Sequence, residues 1–130
     1  MVFLSCSGPA PDQSVYTFFD AMTEGDANQL VQVLDSSVYT GTSNAPGLDT
    51  LFDGASFEAR RNRILLELTG GELKGLWLSK QVIVGGTQRK GDTATVEVSF
   101  VEKDSGKHFL TRFGLVKKGK HWLIFSFKEN

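Results

Sequence analysis

Between Lys74 and Lys128 the chain runs in apolar and polar alternation, broken at Lys90-Gly91, Ser105-Gly106 and Lys118-Gly119. Alternation at period two marks strands that bury one face, and a polar residue followed by Gly marks a hairpin turn. The stretch predicts four consecutive antiparallel strands, the first from about Leu76 to Thr87. A two-residue turn at Lys118-Gly119 sets Leu115 opposite Trp122, Phe113 opposite Ile124 and Leu110 opposite Phe127. The same turn at Ser105-Gly106 sets Val101 opposite Leu110, Val98 opposite Phe113 and Val96 opposite Leu115. Both turns gather Val96, Val98, Phe100, Phe113, Leu115, Trp122 and Ile124 on one face, a continuous apolar surface. The other face collects Thr95, Glu97, Ser99, Arg112, Gly114 and His121, together with Val101, Leu110, Leu123, Phe125 and Phe127. Gly85-Gly86 predicts a bulge that reverses the parity of the first strand.

Upstream the period changes to that of helices. Pro11 and Asp12 suit a first helical turn, and Val15, Phe18, Phe19 and Met22 make one apolar stripe that stops at Gly25. Asp26 and Gln29 have capping-box spacing ahead of a second stripe, Ala27, Leu30, Val31 and Leu34. Val38-Tyr39-Thr40 reads as a short strand, and Gly41 to Gly54 as a loop. Ser56 caps a third helix to about Thr69, with Phe57, Ile64, Leu65 and Leu68 on one side, ended by Gly70-Gly71. The expected fold class is α+β: three N-terminal helices packed on a curved four-stranded antiparallel meander. Residues 10–130 form one domain behind a tail over residues 1–9.

The 130 residues carry a net charge of −1, which gives no general pull toward nucleic acid. The charge is nonetheless uneven. Residues 1–73 hold three basic and ten acidic side chains, and residues 74–130 hold eleven and five. Lysines at turns and strand edges, which discourage edge pairing, account for much of the second excess. A single Cys excludes an internal disulfide. Leu4-Ser5-Cys6-Ser7 resembles the end of a bacterial lipoprotein signal, with Cys6 as the lipidated residue and Ser7 to Pro11 as a polar tether. The resemblance implies a membrane anchor in the bacterial cell envelope. Without it the protein is expected in the cytoplasm.

Val15-Tyr16-Thr17-Phe18-Phe19-Asp20-Ala21-Met22 followed by Glu24-Gly25-Asp26-Ala27, and the closing Gly119-Lys120-His121-Trp122-Leu123-Ile124, resemble the nuclear transport factor two-like (cystatin-like) superfamily. They also resemble its small bacterial lipoproteins of unknown function. The resemblance implies a sheet curved into a cone around the helices, often with an apolar pocket, and often a dimer through the back of the sheet. The implied pocket takes in Tyr16, Phe19, Phe100, Thr111, Phe113 and Trp122. The family includes isomerases, dehydratases and non-catalytic modules, so the activity has to be argued from the site.

A ketosteroid-type isomerase would use Tyr16 with carboxylic acids in the pocket. Asp35 reads better as a helix-end residue, and Glu97 lies on the other face of the sheet. Proton transfer needs an acid or base in reach of substrate, and no such set assembles. No catalytic residue is assigned. His108 and His121 fall near opposite ends of the middle strand with no further ligand at metal spacing, so no metal or other cofactor is expected. Arg60, Arg61 and Arg63 fit ion pairs with Glu58 and Glu67 on the third helix. Of the two tryptophans that could stack on a ligand, Trp122 reads better as core than Trp77.

The expected function is therefore the binding of a small apolar ligand or of another protein. The alternative is a small isomerase- or dehydratase-like enzyme in the same cone. Val101, Leu110, Leu123, Phe125 and Phe127 form a contiguous apolar patch on the face that the helices leave bare, with Arg112 at its rim beside Glu97. That patch predicts a homodimer.

Overall fold

The computed structural model describes residues 10–40 and 56–129. The tail with Cys6 and the loop from Gly41 to Gly54 lie outside them. Helix α1 (Pro11–Glu24) starts on Pro11, carries Asp12 in its first turn and ends on a left-handed Gly25. Its stripe of Val15, Phe18, Phe19 and Met22 is buried. Asp26 then caps α2 (Ala27–Val33) by accepting the Gln29 amide at 3.2 Å. Ser56 caps α3 (Phe57–Gly70) by accepting the Ala59 amide at 3.2 Å. Each cap satisfies a backbone donor that a helix start leaves without a partner.

Two segments differ from the sequence expectation. Val38-Tyr39-Thr40 belongs to a 3₁₀ turn over Ser36–Thr40, not to a strand. A fourth helix, α4 (Glu72–Leu78), takes up Leu76, Trp77 and Leu78, which alternation alone assigns to the first strand. Leu73 and Trp77 stand four apart and are both buried, which is a helical face. The sheet follows as β1 (Gln81–Lys90), β2 (Thr93–Val101), β3 (His108–Lys118) and β4 (His121–Glu129), paired in that order and all antiparallel.

The hairpin registers also shift. Val101 pairs with His108 and Val96 with Phe113, because residues 102–107 form a longer loop than a two-residue turn. Lys118 pairs with His121 and Leu115 with Ile124, because the last turn is Gly119-Lys120, with Gly119 at φ 64°. Each shift is by two residues, so parity survives. The predicted inner set of Val96, Val98, Phe100, Phe113, Leu115, Trp122 and Ile124 is buried against the helices throughout. The bulge at Gly85-Gly86 is present between Val84 and Thr87, leaving Val82 and Val84 packed against the core.

A second bulge overturns one expectation. Leu115 pairs with Ile124 but Gly114 pairs with Ser126, so Phe125 is the extra residue. Parity reverses there, and Phe127 faces inward opposite Phe113, only 1% exposed. It therefore cannot belong to the outer patch. Phe125 stays outside with its ring across Gly114, where a Cβ would meet Phe125 Cζ at 2.9 Å. Arg112 sits directly opposite Glu97 on the outer face and pairs with it at 3.5 Å.

Candidate functional site

Six aromatic rings meet where α1 and α4 cross the sheet. Phe18 touches Phe19, Trp77, Phe113 and Phe127, and Trp77 also reaches Phe100, Phe113 and Phe127. The cluster fills the space between α1, α4 and the sheet. Beside the cluster lies a groove of about 340 Å³, between α4 and the ends of β2, β3 and β4. Leu76 and Trp77 of α4 form one wall. Phe100, Phe109, Phe113 and Phe127 form the other, with Thr111 between them, and Lys80, Glu102 and Leu110 complete the lining, although Leu110 belongs by register to the outer face of β3. The volume falls in the range of small-molecule sites, which are mostly apolar with a few placed polar groups.

Of the six pocket residues expected from the sequence, Phe100, Thr111 and Phe113 line this groove. Phe19 stands behind it, stacked on Phe113 at 5.8 Å. Tyr16 is a correction: it is 51% exposed and lines no part of the groove. It flanks the buried stripe, and α1 turns it away from the sheet. Trp122 is also outside the groove. It is core, and it lines a separate depression with Gln13, Ser14, Thr17, Gln32, Val33 and His121. Ser14 donates to the Trp122 carbonyl there at 2.7 Å, and the Arg89 guanidinium lies 5.0 Å from the indole ring. The apolar side chains of that depression, Val33 and Trp122, stand among polar ones, and it lacks the ring of aromatic side chains that lines the groove.

Sequence reasoning missed Leu76, Lys80, Glu102, Phe109, Leu110 and Phe127 as lining residues. For Leu76 and Lys80 the signal was the Leu73–Trp77 spacing that marks α4. Trp77, named with Trp122 as able to stack on a ligand but not among the expected pocket residues, does line the groove.

The titratable groups with shifted pKa values lie elsewhere. Burial of the Asp35 carboxylate raises its pKa, but hydrogen bonds outweigh this. Lys118 Nζ donates to it at 2.6 Å, the Ser37 hydroxyl at 2.7 Å and the Ser37 amide at 3.2 Å, and the net pKa lies below the ordinary value. Asp35 also donates its own amide to the Ile124 carbonyl at 2.8 Å. It is a clasp between the end of α2 and the last hairpin. Burial raises the pKa of Tyr39, opposed by the charge of Arg61. Its hydroxyl has no hydrogen-bond partner among the described residues. His108 opens β3 and His121 opens β4 across from Lys118, so the two are far apart along β3. No group of three or more metal-ligating side chains occurs among the described residues. No helix among them is long and apolar enough to cross a membrane.

No protein-family profile and no curated protein sequence matches the chain. Among solved structures, a designed NTF2 protein superposes with a TM-score of 0.58 at 17% identity, over 92% of this chain and 95% of its own. A Campylobacter jejuni protein provisionally named an NTF2-like transpeptidase superposes with a TM-score of 0.54 at 15% identity, over 92% of this chain and 100% of its own. At such identities the likeness is one of fold. The chain has the nuclear transport factor two-like α+β fold that its sequence pattern resembles.

Proposed function

We propose that this protein is a small binding domain whose groove beside α4 takes an apolar ligand. The observation that carries the reading is the wall chemistry: Leu76, Trp77, Phe100, Phe109, Phe113 and Phe127 converge on one open space of about 340 Å³. An apolar molecule gains free energy from leaving water in proportion to the area it covers, and such a wall supplies that area. An enzyme in the same cone was to use Tyr16, and Tyr16 points elsewhere. Thr111 is the one hydroxyl among the described lining residues and is 6% exposed.

Titration with the neutral fluorophore phenylnaphthylamine tests the reading. Micromolar saturable binding is expected, and Leu76→Glu is expected to abolish it, since a charge on the wall must be desolvated by the ligand. Leu76 is more than half exposed, so this variant keeps the fold. An unchanged titration in Leu76→Glu places binding elsewhere.

Two further parts of the reading concern assembly and place. The outer face of the sheet carries Ile83, Val101, Leu110, Leu123 and Phe125 around the Glu97–Arg112 pair, and supports a homodimer. The lipoprotein-like Leu4-Ser5-Cys6-Ser7 supports a lipid anchor on Cys6 at a bacterial envelope.

A further inference from the structure

The groove lining holds one cation and one anion, Lys80 and Glu102, and a second lysine, Lys107, approaches the lining residue Phe109. Phe109 opens the inner face of β3 opposite Phe100 and remains 37% exposed. Two ammonium groups approach its ring: Lys80 Nζ at 5.7 Å from the centroid and Lys107 Nζ at 5.2 Å. Lys80 comes from the end of α4 and is held in place by donating to the Leu76 carbonyl at 3.2 Å. Lys107 comes from the loop between β2 and β3. Each ammonium is attracted to the ring face, yet two like charges gathered at one ring repel each other. An anion between them removes the repulsion and gains two charge-assisted contacts. Glu102 is the one carboxylate lining the groove among the described residues, and its Oε1 is already engaged by the Ser105 hydroxyl at 2.7 Å.

Taking the groove as a ligand site, we infer that its ligand is an amphipathic anion: an apolar body against Trp77, Phe100 and Phe113, and an acidic head between Lys80 and Lys107. A neutral ligand would use the wall alone and leave the two ammonium groups opposed.

Two probes of one skeleton separate this inference from the reading on which it rests. Anilinonaphthalenesulfonate is phenylnaphthylamine bearing one sulfonate. On the wild-type protein the sulfonate is expected to bind about fivefold to tenfold more tightly than its neutral parent. The ratio of the two affinities is expected to fall toward one in the double variant Lys80→Gln with Lys107→Gln. In wild type it should also fall in molar salt, which screens exposed charges. Lys107 is exposed and Lys80 half-buried, and the salt titration needs no variant at all. Equal affinities for the two probes, or a ratio that ignores both the variant and salt, overturn the inference while leaving an apolar groove in place. If neither probe binds, the groove reading fails with it.

Discussion

The ring of Phe127 stands edge-on to that of Phe113, with centroids 4.9 Å apart and planes at 89°. This contact exists because Phe125 is the bulged residue of β4, which turns Phe127 inward. Edge-to-face pairs are favourable beyond the area they bury. Replacing Phe113 with Ala is expected to cost roughly 3–5 kcal/mol, and Phe127→Ala a similar amount. Urea denaturation measures both. A loss below about 1 kcal/mol for Phe127→Ala, the scale of surface changes, would return Phe127 to the outer face.

The clasp at Asp35 makes stability depend on pH. Its folded pKa lies below the unfolded one, so its contribution is complete above about pH 4 and is lost as pH falls through the folded value. Asp35→Asn keeps the shape but weakens the acceptor for Lys118. Wild type is expected to exceed this variant in stability near neutrality, with the gap closing as pH falls below about 4. Thermal melts across that window check it, and a gap that widens on acidification contradicts it. Lys118 is largely exposed, so water screens part of its charge.

The outer face predicts a dimer. With Phe127 in the core, the patch rests on Ile83, Val101, Leu110, Leu123 and Phe125, and Ile83 is 44% exposed. Ile83 faces Ser99, which faces Leu110, so one row of the patch crosses three strands. Light scattering at micromolar concentration should give twice the chain mass for wild type and the single mass for Ile83→Glu. A monomeric wild type rejects the patch as an interface, and a dimeric Ile83→Glu moves the interface elsewhere.

Cys6 predicts a membrane anchor. Expressed from its full natural start in its own host, the protein should sediment with membranes, and Cys6→Ser should release it. Soluble protein with an unmodified Cys6 ends this reading.

The inner face of the sheet was legible in the sequence because its signal is parity. Both hairpins shift by two residues from the expected register, and a shift of two leaves every side chain on its face. The bulge at Phe125 was not legible. Phe125-Ser126-Phe127 alternates as well in a regular strand as in a bulged one, and only packing against Phe113 and Trp77 decides. Gly85-Gly86 was legible because paired glycines inside a strand weaken its ladder and invite a bulge. Helix α4 escaped because Leu76-Trp77-Leu78 is too short an apolar run to separate strand from helix by periodicity. The groove was half legible for that reason: its strand wall came from the alternation, while its helical wall came from α4. Tyr16 was placed by analogy with a catalytic pattern and by its nearness to the stripe of α1, but it flanks that stripe and lies 51% exposed.

The two tryptophans provide the most direct test of the groove. Trp77 forms its wall, and Trp122 lies in the core outside it. Each gives one indole N–H signal in a proton–nitrogen correlation spectrum of the labelled protein. Titration with phenylnaphthylamine is expected to move the Trp77 signal in a saturable way and leave that of Trp122 in place. Movement of the Trp122 signal alone, or of neither, contradicts a ligand site beside α4.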